Sequence, residues 1–213
     1  MPNDSTRFTF IARQSDKQSP VAYDPCRPIH YVTNQRTMPP RGNEMVADAV
    51  AAISAASGLV FINDGTTDEE PSEHRAAFQR SRYGDRWAPV LIAWSDPSRS
   101  PDLNKDVIGQ AGSVYLDTHD MTPFDRRTKV YITGMLALDG PSFAKLEPKG
   151  TVSAEDIGRA IVLHELGHLV GLGHVEDPTQ VMYPSSSYEV TSLATGDLNG
   201  LAKLGRGDCY PDL

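Results

Sequence analysis

The sequence predicts an α+β fold, built as a single domain of 213 residues. Short runs rich in β-branched and aromatic residues occupy the first two thirds of the chain, with one helical segment among them. In the last third, apolar residues recur at helical spacing instead. Strands that precede helices, rather than alternating with them, are typical of the α+β class.

The predicted elements follow this division. Apolar spacing predicts a helix that Asn43 caps and that runs to about Ser57, and Asp197 is expected to cap a short final helix. Alternating or apolar runs of strand length lie at residues 8–11, 21–24, 29–33, 59–62, 90–94, 113–118 and 130–138.

The helix with the strongest start signal is predicted over residues 154–170. Ser153 and Asp156 form a variant capping box, in which each side chain satisfies a backbone N–H group at the start of the helix. Gly171 has no Cβ and can adopt conformations that break a helix, so we expect the helix to end there.

Composition excludes several classes of protein. The chain carries 20 Lys and Arg against 28 Asp and Glu, a net charge of −8, without the basic block that nucleic-acid binding requires. No run approaches the roughly 20 apolar residues needed to span a membrane. Residues 1–6 are polar and lack the apolar core of a signal peptide. Either the protein stays inside the cell, or an export segment has been removed.

Cys26 and Cys209 lie near opposite ends of the chain. Their spacing alone leaves two alternatives open, a disulfide formed in an oxidising compartment or two separate thiols in a reducing one. A bridge would close a loop of about 180 residues, which is the kind that restricts the unfolded chain most.

Three of the six histidines lie within eleven residues. His164 and His168 are four positions apart on the predicted helix, so both point the same way and can bind one metal ion. Glu165, one step around the helix, can reach a water on that metal without being a ligand. If the chain turns back at Gly171, His174 can approach the same ion from the other side. Three neutral imidazoles with an open fourth position suit a catalytic zinc better than a structural one.

A bare His-Glu-x-x-His pattern also occurs by chance, and a lone histidine on a helix is more often a core or surface residue. Here five positions (His, Glu, His, Gly, His) agree, on a segment that independently has the pattern of a capped helix. His30 and His74 are interpreted as structural or surface residues.

The segment resembles the signature of the metzincin metallopeptidases. The triplet Met182-Tyr183-Pro184, at its distance from the third histidine, resembles the matrixin branch of that family. The resemblance covers roughly residues 28–205. It implies a twisted five-stranded mixed sheet with two long helices, an active-site helix, a methionine turn and a C-terminal helix. It also implies that zinc is the metal and that Met182 forms the base of the site.

The resemblance further implies a substrate cleft. Its border would be a fourth strand from Gly112 to Thr118, antiparallel to the others, along which a bound peptide adds as a further strand. The pocket beyond the scissile bond would lie between the active-site helix and residues 184–190. We therefore expect substrate to be bound by Gly112, Tyr183, Pro184 and Tyr188.

The chain departs from the matrixin pattern in several places. Val175 stands where matrixins usually have serine, and only His119-Asp120 faintly resembles their structural metal sites. The acidic loop 64–73 is interpreted as a solvated turn, and calcium there is an alternative that its ligand spacing does not support. Cys26 does not lie in the propeptide motif of matrixins. Because Cys26 and Cys209 are near the chain ends, we favour a disulfide between them.

These observations predict one metzincin-like peptidase domain over residues 1–213, with an N-terminal extension or hairpin at 1–24 and a catalytic core at 25–213. It would be a monomeric zinc endopeptidase, secreted or exposed at the cell surface, that acts on proteins or peptides. Glu165 would activate a zinc-bound water to hydrolyse the peptide bond. The alternatives are a zinc-binding protein-interaction module without significant proteolysis, which nothing in the sequence favours, and a highly selective processing protease.

Overall fold

The computed structural model describes residues 7–104, 106–118, 128–185 and 188–210, which form a mixed α+β fold. The strands are β1 (Thr9–Phe10), β2 (Ala22–Tyr23), β3 (Ile29–Asn34), β4 (Phe61–Thr66), β5 (Val90–Ser95), β6 (Gly109–Asp117), β7 (Lys129–Asp139) and β8 (Leu172–Gly173). The helices are α1 (Gly42–Ser57), α2 (Arg80–Tyr83), α3 (Gly140–Phe143), α4 (Ala154–Val170) and α5 (Thr195–Leu204).

The main sheet is mostly parallel. Its strands run in the order β4-β3-β5-β7-β6, and the short strand β2 lies against the first part of β7. All neighbours are parallel except β6, which is antiparallel to β7 along its whole length. An antiparallel strand in this region agrees with the matrixin resemblance. Among the described residues the sheet has six strands rather than the five that the resemblance implies, because β2, within the run predicted at residues 21–24, also pairs with β7.

The hydrophobic core lies between this sheet and the two long helices. Helix α1 packs against α4, and α4 packs against β6 and β7. The ring of Trp94, in β5, meets Phe143 of α3 edge to face with the ring centroids 5.0 Å apart. Buried side chains that fill this layer include Val46, Ala49 and Ile53 of α1, and Val162, Leu166 and Leu169 of α4.

The opposite face of the sheet is covered by residues 67–88. Strand β5 is buried along all six residues, since the helices cover one of its faces and this loop covers the other. Arg75 attaches this loop to the sheet. Its guanidinium pairs with Glu69 at 2.8 Å and donates to the Thr133 hydroxyl at 3.0 Å and the Pro89 carbonyl at 2.7 Å. The expectation of a solvated acidic turn is therefore wrong at Glu69, which is 7 % exposed.

The predicted helix boundaries hold where local signals set them. Helix α4 covers residues 154–170, and the Ser153 hydroxyl accepts the Asp156 backbone N–H at 3.0 Å, as the capping pattern predicts. Helix α1 begins at Gly42 rather than being capped by Asn43.

The first and last described segments of the chain are attached to the rest of the fold. After β1, an antiparallel bridge joins Arg13 to Pro20, and the chain returns as β2 beside β7. The structure joins Cys26 to Cys209 by a disulfide, with the two Cα atoms 5.5 Å apart. Within the described ranges, none of the helices has the length and apolar character needed to cross a membrane.

Candidate metal centre

Three histidine side chains converge at the end of α4. His164 and His168 lie one helical turn apart, and Gly171, at φ 120°, ends the helix. Strand β8 then carries the chain back, so that His174 Nε2 lies 3.2 Å from His164 Nε2 and 3.0 Å from His168 Nε2. The sequence prediction that these three residues meet agrees with this geometry.

Backbone carbonyls fix the tautomers of the first two histidines. Nδ1 of His164 lies 2.7 Å from the Val181 carbonyl, and Nδ1 of His168 lies 2.8 Å from the Leu172 carbonyl. A carbonyl oxygen only accepts, so each Nδ1 carries a proton and each Nε2 presents a lone pair. Lone pairs aimed at one point repel each other unless a cation lies between them.

The donor set fits zinc. Tetrahedral zinc with its usual bond lengths to imidazole places the ligand nitrogens about 3.4 Å apart, close to the two separations observed. Burial lowers the pKa of all three imidazoles, that of His168 to about 4. They are therefore neutral near pH 7, which is the state that binds a metal.

Glu165 lies beside the histidines, with its side chain against the first residue of β6. A Cβ atom on Gly109 would lie 2.7 Å from the Glu165 Cγ and 2.9 Å from its Oε1, so only glycine leaves room for this carboxyl. Burial raises the pKa of Glu165 to about 7. A carboxyl that titrates near neutral pH suits proton transfer in both directions.

Gly109 is a residue that sequence reasoning missed. A glycine in a strand often marks the close approach of another group, and Gly109 is such a glycine. The predicted strand began at residue 113, however, whereas β6 begins at Gly109, so the glycine lay outside the predicted element.

Met182 lies beneath the helix and is 2 % exposed. Its sulfur fits against Gly167 of α4, where a Cβ would lie 2.5 Å from the Met182 Sδ. The Met182 carbonyl accepts the Val175 N–H at 3.1 Å, which ties the methionine segment to the residue after His174.

Asp197 holds the same segment from the other side. Its carboxylate accepts the N–H groups of Val181 at 2.9 Å and Met182 at 3.3 Å. It also accepts the Ala194 N–H at 2.9 Å, so Asp197 lies within the first turn of α5. Its predicted role as the capping residue is wrong, because α5 begins two residues earlier, at Thr195.

The residues expected to bind substrate are spread over two regions. Gly112 is exposed on β6, the strand that packs against α4. Tyr183 is half-buried and Pro184 exposed directly after Met182, whereas the Tyr188 ring lies 5.7 Å from the Lys149 ammonium. Their role stays a prediction. The pair His119-Asp120 and residues 186–187 fall outside the described part of the chain.

Comparison with known proteins agrees with this site. Residues 105–205 match the family model of the matrixins. Metalloendoproteinase 1 of Glycine max is 43 % identical over 54 residues, which is 24 % of this chain and 17 % of that protein. The match thus spans less than a fifth of the relative's length. These two matches support a resemblance to the matrixin-like metzincins, and the three histidines, Glu165 and Met182 all lie within residues 105–205.

Two solved structures are similar to this chain at low scores. The GM1-bound form of the ECX AB5 holotoxin has a TM-score of 0.48 at 12 % identity, over 85 % of this chain and 81 % of that one. Archaemetzincin from Methanopyrus kandleri has a TM-score of 0.47 at 17 % identity, over 82 % of this chain and 93 % of that one. At these scores neither similarity bears on function.

Proposed function

We propose that this protein is a zinc-dependent endopeptidase. The observation that carries the proposal is the convergence of three neutral imidazoles beside a buried carboxyl, in a matrixin-like sequence. His164, His168 and His174 would hold one catalytic zinc through Nε2, and Met182 would form the floor beneath them.

Glu165 would be the catalytic base. Zinc, when bound, supplies a Lewis acid and lowers the pKa of a coordinated water towards neutrality. Glu165 accepts a proton as the water oxygen bonds to the peptide carbonyl carbon, and gives a proton to the amine nitrogen as the C–N bond breaks. Each turnover therefore returns Glu165 to its starting state.

The substrate would lie along β6 as an added strand. The outer edge of β6 forms no strand pairing among the described residues, so its backbone groups can bond to an extended peptide. We place Gly112 beside that peptide, with Tyr183, Pro184 and Tyr188 around the pocket beyond the scissile bond. We also propose that residues 1–213 form one domain and that the protein acts as a secreted or surface-exposed monomer.

Metal removal tests this function. We expect the purified protein to contain about one zinc per chain and to cleave casein. A zinc chelator should abolish the cleavage, and added zinc should restore it. His168→Ala is the matched variant and should lose both the metal and the activity.

Two results would overturn the proposal. Cleavage that persists in metal-free protein would exclude a zinc mechanism. Zinc bound without cleavage of casein or of any peptide in a diverse library would favour the protein-interaction module instead. A library profile with very few cleaved sequences would identify a selective processing protease.

A further inference from the structure

We propose that Thr9, on the N-terminal strand β1, is a positioning residue for the third histidine. This inference rests on the proposed function and deepens it: the segment before the predicted core would be part of the metal centre. Thr9 would act through the backbone of His174, without touching metal or substrate.

His174 differs from the other two histidines in what holds it. The rings of His164 and His168 are oriented by α4 and by hydrogen bonds from Nδ1 to backbone carbonyls. His174 follows the helix, is the most exposed of the three, and its Nδ1 has no hydrogen bond among the described residues. The position of its Nε2 therefore depends on how firmly its backbone is held.

Strand β1 supplies that support. It pairs antiparallel with β8, Thr9 opposite Gly173, and the Ile11 N–H donates to the Gly171 carbonyl at 3.0 Å. The Thr9 hydroxyl then donates to the carbonyl of His174 itself at 2.7 Å. The N-terminal segment therefore contacts residues 171–174 in turn, from the end of α4 to the third histidine.

The approach of Thr9 is close and specific. A Cβ at Gly173 would lie 2.6 Å from the Thr9 hydroxyl oxygen, so a glycine at that position lets the hydroxyl reach the next carbonyl. On the other side of His174, the Val175 N–H donates to the Met182 carbonyl at 3.1 Å. The ligand is therefore held between two backbone anchors, one from Thr9 and one from the methionine segment.

Arg7 is a weaker candidate for the same role. It forms an ion pair with Asp177 at 2.9 Å, but its side chain is 62 % exposed. Exposed ion pairs contribute little in water and lie open to screening by salt. Thr9 is exposed as well, but its hydroxyl bonds directly to the carbonyl of a proposed ligand, whereas Arg7 pairs with Asp177, three residues beyond that ligand.

The test compares the zinc affinity of Thr9→Val with that of Thr9→Ser and the wild type. Valine keeps the shape and the backbone pairing but removes the donor, whereas serine keeps the donor. The loss of one net hydrogen bond that holds the His174 backbone before zinc binds can weaken zinc binding by up to about five-fold. In competition with a chelating dye, Thr9→Val should bind zinc more weakly than the wild type, by up to that factor, and Thr9→Ser should match the wild type.

Thr37→Val is the matched control. The Thr37 hydroxyl donates to the Ser95 carbonyl at 2.7 Å, the same type of bond, at the last residue of β5, which β7 separates from β6. Its loss should lower the unfolding midpoint of the metal-free protein and leave zinc affinity unchanged.

The outcomes separate the two proposals. Equal zinc affinity in Thr9→Val and the wild type overturns the role of Thr9 and leaves the peptidase proposal standing. If Thr37→Val lost as much zinc affinity as Thr9→Val, the loss would reflect a general decrease in stability, and the role of Thr9 would again be overturned. A wild-type protein that binds no zinc would overturn both.

Discussion

The proposed catalytic base, Glu165, keeps its position because of one residue on a neighbouring strand, Gly109. Its carboxyl is desolvated, which raises its pKa, and it stays in place because β6 offers no side chain at Gly109. His164, His168 and Glu165 were predictable from sequence because helical spacing is a local property, and His174 was predictable because Gly171 ends the helix just before it. The contact with Gly109 was not, since it joins two residues that are 56 positions apart in the chain.

Gly109→Ala should therefore damage catalysis more than metal binding. The added methyl group would push Glu165 away from the water that we propose it activates, and a misplacement of about 1 Å can cost about 100-fold in rate. We expect kcat to fall by roughly that factor while zinc content stays at the wild-type value. Steady-state cleavage of a fluorogenic peptide, with metal analysis of the same samples, measures both quantities. An unchanged kcat would show that Glu165 has more room than the structure indicates.

At the scale of elements, features set by neighbouring residues were predicted well, whereas features set by long-range contacts were not. Helix α4 was predicted to the residue because its cap and its terminal glycine are encoded within a few positions. Strand β4 was placed too early: it begins at Phe61 and continues into polar residues, which an edge strand exposed to solvent tolerates. The position of the loop 67–88 was not predictable, because Arg75 attaches it to β7 by a hydrogen bond to Thr133, 58 positions further along the chain.

The buried pair in this loop predicts a stability effect that depends on pH. Burial alone would raise the pKa of Glu69, but hydrogen bonds from Arg75, Gln79 and Tyr83 outweigh it and hold the pKa below 4.5. A lowered pKa in the folded state stabilises the protein above about pH 4.5, and this stability is lost as the pH falls through the lowered value.

Glu69→Gln should thus cost about 3–5 kcal/mol at pH 7, because Arg75 is left buried without a counter-charge. The difference from the wild type should shrink as the pH falls below about 4.5. Urea unfolding at several pH values measures it. Asp68→Asn is the control, since Asp68 forms an exposed ion pair with Arg82 in the same loop, and it should behave as the wild type. A difference that is independent of pH would contradict the account.

At the scale of the whole molecule, the first and last described segments of the chain are both attached to one core. Strands β1 and β2 attach the N-terminal segment to β8 and β7, and the disulfide joins the start of β3 to the chain beyond α5. The spacing of the two cysteines left their pairing open, since a separation of 183 residues carries no local signal.

Replacing both cysteines by serine should lower the free energy of unfolding by about 2–5 kcal/mol, because the unfolded chain would regain the freedom that the long loop removes. Zinc content and cleavage should persist at temperatures where the variant is folded, since neither cysteine lies at the histidine cluster. Thermal unfolding with and without reductant measures the effect. A wild-type protein insensitive to reductant, with both thiols reactive towards a labelling reagent before unfolding, would contradict the disulfide.

The central claim is that Glu165 activates water at a metal held by His164, His168 and His174. The most direct measurement is casein cleavage by Glu165→Ala, with its zinc content determined on the same preparation. The variant should keep about one zinc per chain, because Glu165 is not a ligand, and should lose nearly all activity. Cleavage at the wild-type rate by the zinc-loaded variant would contradict the account.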